Sequence, residues 1–178
     1  MFCLNKQEVL NFLTQKGINF EVTEHPAVFN MEELAKINLP YPECDAKNLL
    51  VRDDKKQHYY LITVKGEKRV DLKAFRRAQQ TRPLSFATAE ELWQQLKLTP
   101  GSVTPFGLLN QSEKNVAFYL DSDFLTGLGK IGVHPNDNTA TVWLQAADLL
   151  TLLNAEGCKT AVVPLETRPW AFKYLAQN

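Results

Sequence analysis

A chain of 178 residues is long enough to bury one sizeable core, and its 44% hydrophobic and 22% charged residues exclude a disordered or fibrous protein. Equal numbers of basic and acidic residues leave a formal charge of +0, so no global field drives the chain onto nucleic acid or membrane, and any polyanion contact needs a local patch. The N-terminal MFCLNKQEVLNFL lacks a signal peptide's apolar run, no stretch approaches the roughly 18 apolar residues of a membrane span, and Cys3, Cys44 and Cys158 form no C-x-x-C pair, which together predict a cytoplasmic protein with reduced thiols.

The first helix follows Asn5, a capping residue with Glu8 at N3, while Leu4 and Val9 are placed for a hydrophobic staple. Gly17 ends that helix, and Phe20 to Thr23 reads as a short strand broken by His25-Pro26. Asn30 with Glu33 opens a second helix, which the stiff Leu39-Pro-Tyr-Pro42 connector stops. Asn48 to Val51 and Tyr59 to Val64 are apolar runs separated by Asp53-Asp-Lys-Lys56, the pattern of a β-hairpin. Asp71 caps a helix through Ala78, and Thr88 with Glu91 starts another through Lys97. Beyond Pro100-Gly101 and the Val103 to Leu109 run come a strand from Val116 to Leu120 and another from Thr139 to Leu144. A helix from Ala146 to Ala155 with Gly157 behind it and a last strand, Thr160 to Val163, follow. Strands and helices mix without βαβ alternation, so the expected class is α+β, a mixed sheet flanked by helices. Residues 1–166 form the predicted domain, and 167–178, with Trp170, Phe172 and Tyr174, form a tail expected to pack on it.

Several catalytic solutions are missing: there is no G-x-S-x-G elbow, no phosphate-binding loop and no dinucleotide fingerprint. His25, His58 and His134 lie far apart without ligand spacing, so nothing supports a metal site, and no cofactor is expected. Four features remain. Lys47 precedes an apolar strand, where a lysine is commonly a solvated edge residue, but alternation places it with Leu49 and Val51. An ammonium at a pocket wall there binds an anion or polarises a carbonyl. Gly101-Ser102-Val103-Thr104-Pro105-Phe-Gly107, with two glycines and a proline, is a tight loop, either an ordinary pair of turns or a row of backbone N–H groups facing a ligand. His134-Pro-Asn-Asp-Asn138 precedes a strand, as a polar turn or as a binding residue displayed at a strand mouth. Lys65, Lys68, Arg69, Lys73, Arg76 and Arg77, with Arg82 extending them, make a basic run opposed only by Glu67 and Asp71. Such a run is either a solvated face or a phosphate-contacting surface, and Lys73, Arg76 and Arg77 share one helix face.

Taken together, His25-Pro-Ala-Val-Phe, Ala46-Lys47-Asn48-Leu-Leu, Gly101-x-x-x-Pro105 and His134-Pro-x-x-Asn138-Thr-Ala-Thr-Val stand in the order of one family. The chain resembles the prolyl-tRNA-synthetase-associated editing domains, the YbaK/ProX group, over about Asn5 to Pro164. Pro105-Phe-Gly-Leu-Leu looks like the alanine-specific branch. The resemblance implies a barrel-like mixed sheet surrounded by helices and a hydrolase for the ester of mischarged tRNA(Pro), above all alanyl-tRNA(Pro). It implies that Lys47 orients the terminal adenosine or the ester, with Asn48 as its polar neighbour. Gly101 to Pro105 would hold the aminoacyl group through backbone amides. His134 would line a pocket that excludes proline, with Asn138 in support. The acceptor end of the tRNA is the implied partner, and prolyl-tRNA synthetase a further one. Asn30 departs from the family's frequent threonine. The rival readings are a deacylase for cysteine, serine or threonine esters and a non-catalytic module that binds tRNA or synthetase.

Overall fold

A computed structural model describes residues 3–167; the tail residues 168–178, expected to pack on the domain, lie outside the described residues. The fold is α+β. Among the described residues five helices, α1 (Lys6–Gln15), α2 (Met31–Ala35), α3 (Leu72–Gln79), α4 (Ala89–Leu96) and α5 (Ala146–Ala155), intersperse with eight strands. The strands are β1 (Phe20–Glu24), β2 (Ala46–Asp53), β3 (Tyr59–Lys65), β4 (Leu84–Phe86), β5 (Val116–Asp121), β6 (Lys130–Val133), β7 (Ala140–Gln145) and β8 (Lys159–Val163). They form a three-stranded sheet, β1-β7-β6, and a five-stranded sheet, β4-β2-β3-β5-β8. Among the described residues a single bridge, between Asp45 and Gly132, joins the two sheets, so the barrel-like arrangement is an open corner and not a closed barrel.

Local chemistry places these elements much as expected. Asn5 accepts from the Glu8 N–H while Glu8 accepts from the Asn5 N–H, a complete capping box, and Thr88 with Glu91 repeats it at α4. Asp71 caps α3 by accepting from the N–H groups of Lys73 and Ala74. The expected hairpin forms with Ala46 opposite Lys65 and Arg52 opposite Tyr59. The sheet turns parallel where β5 meets β3 and β8. Two strands escape the sequence reading: β4, three residues long, and β6, four residues set among glycines. The Val103 to Leu109 run is largely a 3-10 helix, Pro105–Asn110, buried as a plug at the end of the core.

Side-chain alternation divides the five-stranded sheet into two faces. Leu50, Leu61, Phe118 and Leu120 join Ile131, Val142 and Leu144 of the other sheet in the main core, closed by α1, α4 and α5. On the opposite face Val51, Ile62 and Val64 pack against Val70 and Phe75 of the α3 region. Phe75 meets Tyr119 edge-on at 4.9 Å, which seats α3 on this face. Gly132 is required at the corner: a Cβ there would stand 2.2 Å from the Trp143 ring.

Candidate active site

The corner between the sheets opens a cavity of about 380 Å³. Asp45 lines it together with Ala46, Lys47 and Asn48, the first residues of β2; the end of β6 supplies Gly132 and Val133, with His134 directly after it, and Val28, Phe29, Asn30, Gly101 and Val103 complete the wall. A second cavity of about 510 Å³ abuts it and shares Asp45 and Lys47, with Ile37, Leu39, Lys65 and Glu67 on its sides. Lys47, Asn48, Gly101, Val103 and His134, distant in sequence, therefore surround one space.

Strand parity sends the Lys47 side chain toward the α3 face, where its ammonium donates to the Lys68 carbonyl oxygen. One of its three N–H groups is thus engaged. Burial, with the charge of Arg69 adding to it, lowers the Lys47 pKa. Asn48 points to the opposite face and accepts from the Thr63 hydroxyl at 2.6 Å, a cross-strand contact that anchors it beside the cavity floor.

His134 lines the same cavity from just beyond the end of β6. Its Nδ1–H donates to the Ala140 carbonyl at 2.9 Å, which fixes the ring and leaves Nε2 as the acceptor in the neutral form. Burial lowers its pKa against the pull of the Ala140 carbonyl, with His25 adding to the effect. Neutral imidazole is therefore the resting form. The His25 ring lies 5.9 Å away, held by the Pro26 carbonyl on Nδ1 and the Thr141 hydroxyl on Nε2. His25 thus backs the wall and does not merely end a strand.

The loop residues divide. Gly101 has φ +88°, and a Cβ there would come within 3.0 Å of the Phe29 ring, so only glycine fits without strain. Ser102 and Thr104 are buried: the Ser102 N–H donates to the Thr99 carbonyl, and the Thr104 hydroxyl accepts from the Phe106 N–H. Pro105 begins the 3-10 helix. Ser102, Thr104 and Pro105 therefore hold the loop from behind while Gly101 and Val103 present the surface. Asn138 also acts at one remove: its Nδ2 donates to the Val28 carbonyl at 3.0 Å, and its own carbonyl accepts from the Val28 N–H at 3.4 Å, clamping the His25–Asn30 segment.

Asp45 is the wall residue that sequence reasoning missed. It belongs to no motif, and β6, whose Gly132 it bridges, has no signal of its own. It is 7% exposed, and its Oδ2 finds no hydrogen-bond partner among the described residues. Burial raises its pKa to about 7, opposed by the Ala46 N–H.

The basic run lies beside the second cavity. Arg69, Lys73, Arg76 and Arg77 are exposed and make no ion pair among the described residues. Lys65 lines the second cavity. Lys68 differs: it is held by Asp121 at 2.6 Å and by Asp123.

The family model of the aminoacyl-tRNA editing domain matches residues 25–152, which include both walls of this cavity. The chain belongs to the aminoacyl-tRNA editing domain family. Among editing-domain relatives, it is 38% identical over 152 residues to the prolyl-tRNA editing protein ProX of Acetoanaerobium sticklandii, covering 85% of this chain and 92% of that one. The mouse prolyl-tRNA synthetase associated domain-containing protein 1 is 34% identical over 144 residues, 79% of this chain and 85% of the relative. The fold is shared with the crystal structure of a candidate trans-editing enzyme for prolyl tRNA synthetase, with a TM-score of 0.67 at 22% identity over 94% of this chain and 100% of that one. Among the described residues no helix of this editing domain is long and apolar enough to cross a membrane.

Proposed function

We propose that this editing domain is a free-standing cytoplasmic hydrolase that cleaves the ester of mischarged tRNA(Pro), with alanyl-tRNA(Pro) as its main substrate. The observation that carries the reading is that Lys47 and His134, distant in sequence, line one small cavity at the sheet corner. A synthetase pocket shaped for proline rejects a smaller amino acid weakly, and a second site that admits only small side chains corrects the error.

In this reading the alanyl group enters between Val28, Val133 and His134, with the terminal adenosine toward Lys47 and the second cavity. A water oxygen adds to the acyl carbon, the carbonyl oxygen takes up negative charge, and the acyl C–O bond to the ribose breaks. The water's proton passes to the departing ribose oxygen, leaving alanine and free tRNA. No side-chain nucleophile is needed, since an aminoacyl ester is already activated. Positioning and charge stabilisation then supply the rate. The Lys47 ammonium has N–H groups beyond the one held by Lys68, and partial burial strengthens its action on a developing oxyanion.

The test is deacylation of alanyl-, cysteinyl-, seryl- and prolyl-tRNA(Pro) by the native protein and by Lys47→Ala. The native protein should release alanine fastest. Lys47→Ala should lose about a hundredfold in rate, corresponding to roughly 3 kcal/mol of barrier. A folded Lys47→Ala protein within threefold of the native rate would remove Lys47 from the chemistry. Native protein that binds these tRNAs and hydrolyses none would make it a binding module.

A further inference from the structure

A carboxyl withdrawn from water is expensive to bury unless it is hydrogen-bonded or paired. Asp45 meets this expectation only in part, through the Ala46 N–H. It is 7% exposed, its Oδ2 is shut off from solvent without a hydrogen-bond partner, and no cation lies within ion-pair distance among the described residues. Lys47, two residues on, directs its ammonium to the Lys68 carbonyl instead. Asp45 is nonetheless fixed in place. Its backbone bridges Gly132 of the other sheet, its carbonyl accepts from the Gly66 N–H at 3.0 Å, and it lies in the shared wall of both cavities. An unsatisfied polar group held rigidly at a cavity wall marks a position whose partner arrives with the ligand.

The substrate class named under Proposed function carries one cation close to its reacting bond, the α-ammonium group. Resting on that reading, we infer that Asp45 receives the α-ammonium of the aminoacyl ester, so that the site selects esters of amino acids over acyl esters without a cation. The placement is consistent with the rest of the wall. The acyl carbon lies one bond from the α-carbon, and Asp45 and Lys47 neighbour each other on the strand entering the cavity, so the ammonium and the carbonyl oxygen can meet opposite charges at adjacent positions. A pKa raised to about 7 leaves the free carboxyl easily protonated, and a bound cation favours its ionised form.

The experiment compares alanyl-tRNA(Pro) with lactyl-tRNA(Pro), the same ester with the α-amine replaced by a hydroxyl. Each rate is divided by the spontaneous hydrolysis of the same ester. The native protein should favour alanyl over lactyl by about 10- to 100-fold in kcat/KM, the range of a hydrogen bond to a charged group. Asp45→Asn keeps the side chain's size and removes its charge. It should lower the alanyl rate by that factor and leave the lactyl rate within threefold, collapsing the preference. The native comparison needs no variant, so a misfolded Asp45→Asn does not blunt the test. Equal native rates on the two esters would overturn the assignment, as would an Asp45→Asn protein that keeps the preference or loses both rates together. Native protein inactive on every aminoacyl ester would sink the deacylase reading itself, a different result.

Discussion

His134 concentrates the question of selectivity in one side chain. Alanine and proline present the same ester to the site, so discrimination must come from the walls around the side chain and their resistance to movement. The His134 ring is held by the Ala140 carbonyl at 2.9 Å, backed by His25 at 5.9 Å, and followed by the buried Pro135. Its lowered pKa keeps it neutral, so it does not repel the α-ammonium of a substrate. In the proposed reading such a wall excludes a pyrrolidine ring by shape. His134→Ala should therefore raise kcat/KM for prolyl-tRNA(Pro) relative to alanyl-tRNA(Pro) by about tenfold or more, since a difference of one or two methylene groups in a fitted pocket spans about 1–3 kcal/mol. Parallel assays on the two esters decide it. An equal fall in both rates would assign the histidine to chemistry or stability and leave selectivity elsewhere.

At the scale of elements, α4 is tied to the sheet by one carboxylate. Glu91 completes the capping box with Thr88, and its side chain also meets Arg52 of β2 at 3.3 Å and Lys56 of the hairpin turn at 3.1 Å. The Thr88 N–H first, then Lys56 and Arg52, outweigh burial and hold the Glu91 pKa below the usual carboxylate range, with the Tyr59 phenol as the other titratable neighbour. A depressed native pKa means stability that is fully present above the unfolded-state value of about 4.3 and is lost as pH falls through the native value. Glu91→Gln should cost about 2 kcal/mol at pH 7, read from urea unfolding, and the deficit against the native protein should shrink below pH 4. A deficit independent of pH would mean that packing and not charge is lost.

The same capping boxes explain why the helices were legible in the sequence. Asn5 with Glu8, Thr88 with Glu91 and Asp71 before α3 are local signals, and each cap forms as read. Asn30 with Glu33 forms in altered shape: Asn30 caps the Glu33 N–H, but Glu33 reaches back to Phe29 and not to Asn30. The hairpin was legible because its turn residues are consecutive. β6 was not, since four residues beside Gly129 and Gly132 acquire strand character only by pairing with β7. That omission hid the site's second wall. Lys47, Gly101 and His134 stood out in motifs, but Asp45 is made unusual by a strand about ninety residues away, which no local pattern reports.

For the whole molecule, the proposed substrate raises the question of how a chain with formal charge +0 would hold a polyanion. Uniform attraction is absent, so binding must draw on asymmetry. The α3 region supplies it. Ala74 and Phe75 bury one face of the helix, which turns Lys73, Arg76 and Arg77 outward, and Arg69 extends the patch from the preceding loop. Lys68, held between Asp121 and Asp123, braces this loop and so fixes the carbonyl that receives Lys47. The patch and the cavity are thus linked through the Lys68–Arg69 segment, a suitable arrangement for a substrate whose acceptor end enters the cavity while its backbone lies along α3. If Lys73, Arg76 and Arg77 each neutralise one phosphate, their joint replacement by Ala should lower the slope of log affinity against log salt by about 2 to 3, since each contact contributes roughly 0.7 to 0.9. Binding of tRNA(Pro) titrated at several salt concentrations measures the slope. Hydrolysis at saturating tRNA should stay near the native rate, because none of the three side chains lines the cavity. An unchanged slope would leave the α3 face as a solvated surface and place the tRNA on another side of the molecule.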